Sequence, residues 1–253
     1  MTLLFRSRID SSELRAETRL PVVINTTQRD KPVRFWRDDC STRTAGVEPL
    51  IITRPLPRWK RTMDVVLASI GLIVATPLFA AATVLIRLTS RGPAVFAQKR
   101  AGIGGREFVM YKFRTMVEDA EAQKSALMEL NEQDGPAFKL EHDPRMTRLG
   151  WFLRKSSIDE LPQLWNVLVG EMSLVGPRPP IPAEVAQYDA WQRRRLSVRP
   201  GITCLWQVSG RNGIGFEQWM RLDMQYIDQW SLRKDFALLG RTIPAVLSGR
   251  GAS

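Results

Sequence analysis

Residues that bind metals or form crosslinks are scarce: among 253 residues there are two cysteines, Cys40 and Cys204, and one histidine, His142. That set provides neither a Cys/His cluster with zinc-ligand spacing nor a disulfide framework. Two distant thiols fit a reducing compartment, and neither has a neighbouring base in sequence that would make it a nucleophile. Internal repeats and low-complexity blocks are missing too. The length allows one ordinary domain with a membrane element and a tail, but not a second large domain.

Acidic residues are also in deficit. With 37 Lys and Arg against 26 Asp and Glu, the formal net charge is +11 and the pI is about 10.3. Such a balance favours a polyanionic partner: nucleic acid, anionic lipid headgroups or a nucleotide-linked substrate. No helix-turn-helix, zinc or RNA-recognition pattern accompanies the arginines and tryptophans, so a nucleic-acid partner is not expected. Gly210-x-x-Gly213-x-Gly215 has the wrong spacing for a dinucleotide fingerprint and no βαβ unit around it.

Charge is absent altogether from Val65 to Ile86, VVLASIGLIVATPLFAAATVLI, a run long enough to cross the ~30 Å hydrocarbon core as a helix. More than sixty residues precede it, too many for a secretory signal. Arg58, Lys60 and Arg61 stand before it, and Arg87, Arg91, Lys99 and Arg100 after it. Both flanks therefore read as cytoplasmic. Pro77 removes a backbone donor near the middle and Thr76 can satisfy a freed carbonyl. These features predict a re-entrant hairpin that dips into one leaflet, with a single-pass anchor as the alternative.

Around this segment the chain divides into three parts. Residues 1–57 have no sustained period and read as a poorly ordered cytoplasmic tail. Residues 58–91 are the membrane hairpin, and residues 92–253 form a membrane-associated cytoplasmic domain. Apolar runs at Val95–Gln98 and Phe108–Phe113, separated by Ile103-Gly104-Gly105, predict a β-hairpin. VEDAEAQKSALMELNEQ predicts a charged surface helix ending before Gly135-Pro136, and Leu161–Val169 predicts an apolar helix. Arg193 to Arg195 face either lipid phosphates or solvent. Trp219, Leu222, Tyr226 and Trp230 recur at helical spacing, as a packing stripe or as a face lying on the bilayer. The expected class is mainly α with short antiparallel β-hairpins, in a monotopic membrane protein.

The candidate chemistry centres on Ser156 to Arg178. Ser157-x-x-Glu160 fits a helix capping box with Pro162 in the first turn. A carboxylate there, Asp159 or Glu160, would feel the helix dipole and stay ionised, able to attack phosphorus. Arg154, Lys155 and Arg178 supply positive charge, and an arginine fork can hold two phosphate oxygens. Gly176-Pro177-Arg178-Pro179-Pro180 fixes the backbone around one arginine. Arg199-Pro200-Gly201 and Ser209-Gly210-Arg211-Asn212-Gly213 repeat the pairing of arginine with a glycine turn, where amides can cradle an anion.

From Lys60 to about Leu247 the chain resembles the bacterial sugar transferases, the monotopic phosphoglycosyl transferases. KRTMD at 60–64, the proline-broken apolar helix, YKFRTM at 111–116 and DPRMTRLGWFLRKSSIDELPQLWNVLVGEMSLVGPRP at 143–179 carry the likeness, completed by RPGIT at 199–203 and SGRN at 209–212. The resemblance implies transfer of a hexose 1-phosphate from a UDP-sugar, UDP-galactose or UDP-glucose, to undecaprenyl phosphate, with release of UMP. It places that step at the cytoplasmic face of the bacterial inner membrane, initiating an exopolysaccharide or surface polysaccharide. It implies Asp159 as the nucleophile of a covalent phosphosugar intermediate and Glu160 as its partner. It further implies Mg2+ held by Asp159 and Glu160, and substrate phosphates met by Arg154 and Arg178; Arg199, Arg211 and Asn212, in their glycine turns, are further candidates for binding phosphate or substrate. Membrane lipids are expected partners, and self-association is left open. Relatives with serine before the break proline differ from Thr76-Pro77 here, but a hydroxyl is kept. A catalytically silent adaptor of the polysaccharide machinery is the alternative reading.

Overall fold

The computed structural model describes residues 51–209 and 214–248. Arg211, Asn212 and residues 1–50 of the expected tail lie outside them. The end of that tail is docked: residues 51–57 are extended, the Arg54 N–H donates to Ser197 O at 2.7 Å, and its guanidinium donates to Ile227 O at 3.0 Å.

Helix α1, Arg58–Thr89, runs 32 residues through Pro77 as one element. The Thr76 hydroxyl donates to Leu72 O at 2.9 Å, the ordinary i−4 bond of a helical threonine, rather than to Ile73 O, the carbonyl that Pro77 leaves without its donor. Burial on α1 recurs at Lys60, Asp64, Ala68, Ala82 and Ile86, a spacing that places these residues on one helical face. Ala68 packs with Val167, Met172 and Tyr226, whereas Ala82 and Ile86 pack with Ala94, Phe113 and Leu153. Both ends of the helix thus rest on the same body. Its other face presents Ile70, Ile73, Val74, Leu85 and Leu88 uncovered.

KRTMD explains how the near end is held. Lys60 and Asp64 are one turn apart and fully buried. The Lys60 ammonium pairs with Asp235 at 2.6 Å, and Asp64 accepts from the Ser173 hydroxyl and the Leu174 N–H.

After α1 come β1, Val95–Ala101, and β2, Glu107–Phe113, an antiparallel hairpin in register from Val95–Phe113 to Ala101–Glu107. Its turn is the expected Ile103-Gly104-Gly105, with both glycines at positive φ. The expected surface helix is shorter: α2 is only Ala120–Gln123, and Ser125–Leu130 is a 3₁₀ helix. Helix α3, Arg148–Lys155, is capped by the Thr147 hydroxyl, which accepts from the Gly150 N–H. Helix α4 covers Gln163–Val169.

One expectation about the sheets fails. Strands β3, Ser173–Val175, and β4, Gly201–Thr203, pair in parallel, so the second β element is not a hairpin. Short helices α5, Pro182–Val185, and α6, Ala190–Arg193, lie between them. A Cβ on Gly176 would come within 2.6 Å of Arg199 O, and one on Gly201 within 2.1 Å of Gly176 N. GPRPP and RPGIT are therefore two sides of one close backbone crossing. Helices α7, Phe216–Asp228, and α8, Leu232–Ser248, complete the fold. Tyr226 is buried, and Trp219 and Trp230 are packed against core clusters. The aromatic stripe is packing.

Candidate active site

Asn166 on α4 sets the site by clamping the hairpin. Its amide donates to Val109 O at 2.7 Å and its oxygen accepts from the Tyr111 N–H at 3.2 Å. With β2 held against α4, strand alternation turns Lys112 toward the segment just before the helix. Gly150 does the same for α3. A Cβ there would lie 1.9 Å from Thr115 O, so only glycine lets α3 press on this strand and bring the Arg154 Nε to Thr115 Oγ1 at 3.0 Å.

The Asp-Glu pair does not sit as the capping pattern predicts. Ser157 adopts the left-handed conformation at φ 55° and its side chain caps nothing; Ile158–Glu160 form a single 3₁₀ turn, and α4 starts only at Gln163. The helix dipole is therefore not what holds the charge. The Lys112 ammonium reaches Glu160 Oε1 at 2.8 Å and Arg178 reaches the same oxygen at 3.3 Å.

These cations separate the two carboxyls. Burial would raise Glu160, but Lys112 and Arg178 overcome it and bring the group down to about 2. Asp159, only 6% exposed, is pushed up to about 6 by burial and by the Glu160 charge, with Lys112 and Arg154 holding it back from rising further. Glu160 is thus a fixed anion. Asp159 is the basic carboxylate of the pair, ionised at neutral pH.

Asp159, Glu160, Lys112, Arg154 and Arg178 line a cleft of about 630 Å³, together with residues of β1 and β2, the Pro179-Pro180 turn, Trp206 and Trp219. That volume suits a nucleotide-sized ligand. The turn is held in place: the Arg100 guanidinium donates to Pro179 O at 3.0 Å and the Ala101 N–H to Pro180 O at 2.9 Å. Arg195, expected to face lipid or solvent, is instead buried. It pairs with Asp223 at 2.8 Å and donates to Arg178 O at 2.8 Å. Its role is to position Arg178.

Arg199 is not brought to the cleft. Its guanidinium lies beside Arg61 at Gly170, where a Cβ would be 3.4 Å from each side chain, because its carbonyl is committed to the crossing with Gly176. Among the described residues no three acidic, histidine or cysteine side chains gather as a metal cage. Asp159 and the second oxygen of Glu160 still fit a magnesium ion that takes its remaining ligands from phosphate oxygens and water.

Lys112, Asn166 and Gly150 are the residues that sequence reasoning missed. Lys112 and Gly150 stand inside the YKFRTM and LGWFLRK motifs, and alternation along β2 was the one signal that could have singled out Lys112.

The sequence matches the model of a family described as bacterial sugar transferase over residues 56–249. This chain belongs to the bacterial sugar transferase family. It is 50% identical over 194 residues to the galactosyl transferase CpsE of Streptococcus agalactiae, covering 76% of this chain and 43% of that protein. It is 41% identical over 197 residues to the exopolysaccharide production protein ExoY of Rhizobium meliloti, covering 76% of this chain and 87% of that protein. To the undecaprenyl-phosphate galactose phosphotransferase of Salmonella typhimurium it is 42% identical over 200 residues, 76% of this chain and 41% of that protein. The chain thus spans less than half the length of two of these three sugar transferase relatives.

Proposed function

We propose that this protein transfers a hexose 1-phosphate from a UDP-sugar to undecaprenyl phosphate and releases UMP, the first membrane step of an exopolysaccharide or surface polysaccharide. The observation that carries this is the Asp159 carboxylate. It is buried in a cleft beside Lys112, Arg154 and Arg178, next to a carboxylate those cations keep ionised. The printed names of its relatives, which include a UDP-galactose-lipid carrier transferase and a UDP-glucose:undecaprenyl-phosphate glucose-1-phosphate transferase, support the same reaction class. UDP-galactose and UDP-glucose are the donors to try first.

The proposed reaction has two displacements. An Asp159 oxygen attacks the phosphorus that carries the sugar, and the bond from that phosphorus to the bridging oxygen breaks, releasing UMP with the bond's electron pair. The enzyme then carries an aspartyl phosphosugar. An oxygen of undecaprenyl phosphate attacks the same phosphorus, and the Asp159 carboxylate leaves.

Arg154 and Arg178 neutralise charge as it spreads over the transferring group. Lys112 and Glu160 fix the local field, and Glu160 stays anionic throughout. A magnesium ion bound with the diphosphate at Asp159 and Glu160 would offset charge on the departing UMP.

In this reading α1 enters one leaflet from the cytoplasm and returns. The support is that both its ends rest on one body while its outer face is apolar. Trp151 and Trp165, amphipathic groups suited to the same interface, are exposed on α3 and α4, with the apolar Phe152 beside Trp151. A silent adaptor would have no use for two neighbouring carboxyls held so far apart in acidity.

Incubation of purified protein in nanodiscs with UDP-galactose or UDP-glucose, magnesium and undecaprenyl phosphate tests the reaction. UMP release by wild type that disappears in Asp159→Asn is the expected result, and no release from any UDP-sugar would overturn the reading.

A further inference from the structure

Arg114 lines the cleft but has no part in the first displacement. Arg114 follows β2 and continues its ladder, since its N–H donates to Ala94 O at 2.8 Å. Two residues beyond Lys112, it faces the same side about 7 Å further along the strand. It is 8% exposed, forms part of the cleft wall, and only one of its three side-chain nitrogens is engaged. Nη2 donates to Ser90 O at 3.0 Å and to Ser90 Oγ at 2.8 Å. Nε and Nη1 are buried with no partner. Leaving a charged fork two donors short in a buried place is costly without an anion to complete it.

The position of Arg114 indicates which anion that is. Its anchor Ser90 caps α1, the Ser90 N–H donating to Ile86 O at 2.9 Å. Gly92, at φ +100°, makes room for Nη1, since a Cβ there would lie 2.3 Å from it. The loop that leaves α1 is thus built around this guanidinium. Exposed apolar side chains surround the same end: Leu88 on α1, Val95 and Phe96 on β1, and Val117 after β2. Phe96 and Val117 also line the cleft. A cation at the head of an apolar lip, where the membrane helix meets the cleft, fits a phosphate monoester carried on a long hydrocarbon chain.

We propose that Arg114 binds the phosphate of the lipid acceptor and holds it for the second displacement, separately from the groups that grip the donor. This inference rests on the two-displacement reading above and adds to it a division of the cleft, with Arg154 and Arg178 on the donor and Arg114 on the acceptor. Atoms and charges balance as before, because Arg114 forms no bond to phosphorus and moves no proton.

The two half-reactions can be read separately in nanodiscs. Rapid mixing with UDP-sugar alone gives a burst of UMP equal to the covalent intermediate formed. A chase with increasing undecaprenyl phosphate gives the rate and half-saturation of its transfer. Arg114→Gln should leave the UMP burst within about twofold of wild type. It should raise the lipid concentration for half-maximal transfer, or slow transfer, by about 10- to 100-fold, the range for losing a charged hydrogen bond. Arg114→Lys, which keeps the charge without the fork, should recover part of the loss and serves as the deciding variant if Arg114→Gln melts early. Transfer at the wild-type rate and half-saturation in the deciding variant would overturn the inference. So would loss of the burst in a variant that melts like wild type, since Arg114 would then act on the donor. A wild-type enzyme with no burst would instead overturn the reading on which the inference rests.

Discussion

At the foot of α1, Lys60 meets Asp235 at 2.6 Å, and the Tyr226 hydroxyl donates to the other oxygen of Asp235 at 2.8 Å. In the cleft, Lys112 meets Glu160 at 2.8 Å, with Arg178 on the same oxygen. The two clusters share lysine-carboxylate chemistry, but they are completed differently. In the foot, Lys60 answers Asp235, Trp230 adds a donor at 3.3 Å, the neighbouring Asp64 is met by the Ser173 hydroxyl and the Leu174 N–H, and the pair is sealed among core side chains. In the cleft, Arg154, Arg178 and Arg114 exceed what Glu160 can neutralise, and Asp159 stands beside them with its acidity weakened by burial. A balanced buried pair fastens the apolar helix. An unbalanced one keeps positive charge and a basic carboxylate available to a ligand, and that surplus separates a binding site from a structural joint.

Removing the carboxylate should separate the two roles most sharply. Asp159→Asn is expected to lower the UMP burst at least about 10³-fold, the loss expected when a covalent nucleophile is removed. Stability should move the other way. The folded state raises the Asp159 pKa from its ordinary value to about 6, so above pH 6 its ionised form weighs against folding. The amide carries no such penalty, and at pH 7.5 the variant should gain roughly 1–3 kcal/mol and melt higher. A variant that is inactive because it is unfolded would melt lower.

The joint should respond in the opposite sense. Lys60→Met leaves Asp235 buried without its cation and is expected to cost about 3–5 kcal/mol, seen as a fall in melting temperature in detergent. The double variant Lys60→Met/Asp235→Leu should recover most of that loss. In both, the UMP burst per folded molecule should stay within about twofold of wild type. A collapse of the burst in the stable double variant would show that the two clusters are coupled.

A smaller effect is expected from the cation that tunes the cleft. The burst rate should rise with pH through about 6 as Asp159 ionises and then level off. Lys112 lowers the Asp159 pKa, so in Lys112→Met that midpoint should move upward. The plateau should fall by about 10²-fold for lack of the charge that stabilises the transferring group. A pH profile with an unmoved midpoint would show that Lys112 does not feel Asp159.

Much of this contrast could be read from sequence, but unevenly. Asp159, Glu160, Arg154 and Arg178 lie close together in sequence and their residue types state the chemistry, and the hairpin was visible in its two apolar runs and its glycine turn. Lys112 was not, because its meaning comes from a 3₁₀ turn 48 residues away, and no local rule links a strand lysine to that partner. The capping pattern at Ser157 misled because a left-handed residue there turns the pair into a 3₁₀ turn. Arg199 looked like Arg178, each beside a proline and a glycine. The close crossing of Gly176 and Gly201 then sent the two arginines in different directions, which only the tertiary structure decides. Lys60 and Asp64 read as flank and motif, yet their spacing of four put both on the buried face of α1.

That buried face yields the last test. If α1 re-enters, residues before and after it lie on one side of the membrane, and if it crosses, they lie on opposite sides. Arg58→Cys and Arg91→Cys, each in a Cys40→Ser background, place an exposed thiol at either end, while Cys204 is buried. In intact cells whose outer membrane has been permeabilised, neither thiol should react with a membrane-impermeant maleimide, and both should react once the inner membrane is opened. Pro77→Leu restores a backbone donor opposite Ile73 O and removes one reason for the helix to turn. The contacts of Lys60 and Ile86 with the body remain, however, and together they outweigh a single backbone bond. Both thiols should therefore stay protected in that variant as well. Protection lost at one end would show that Pro77, and not the packing of the two ends, keeps the helix in one leaflet.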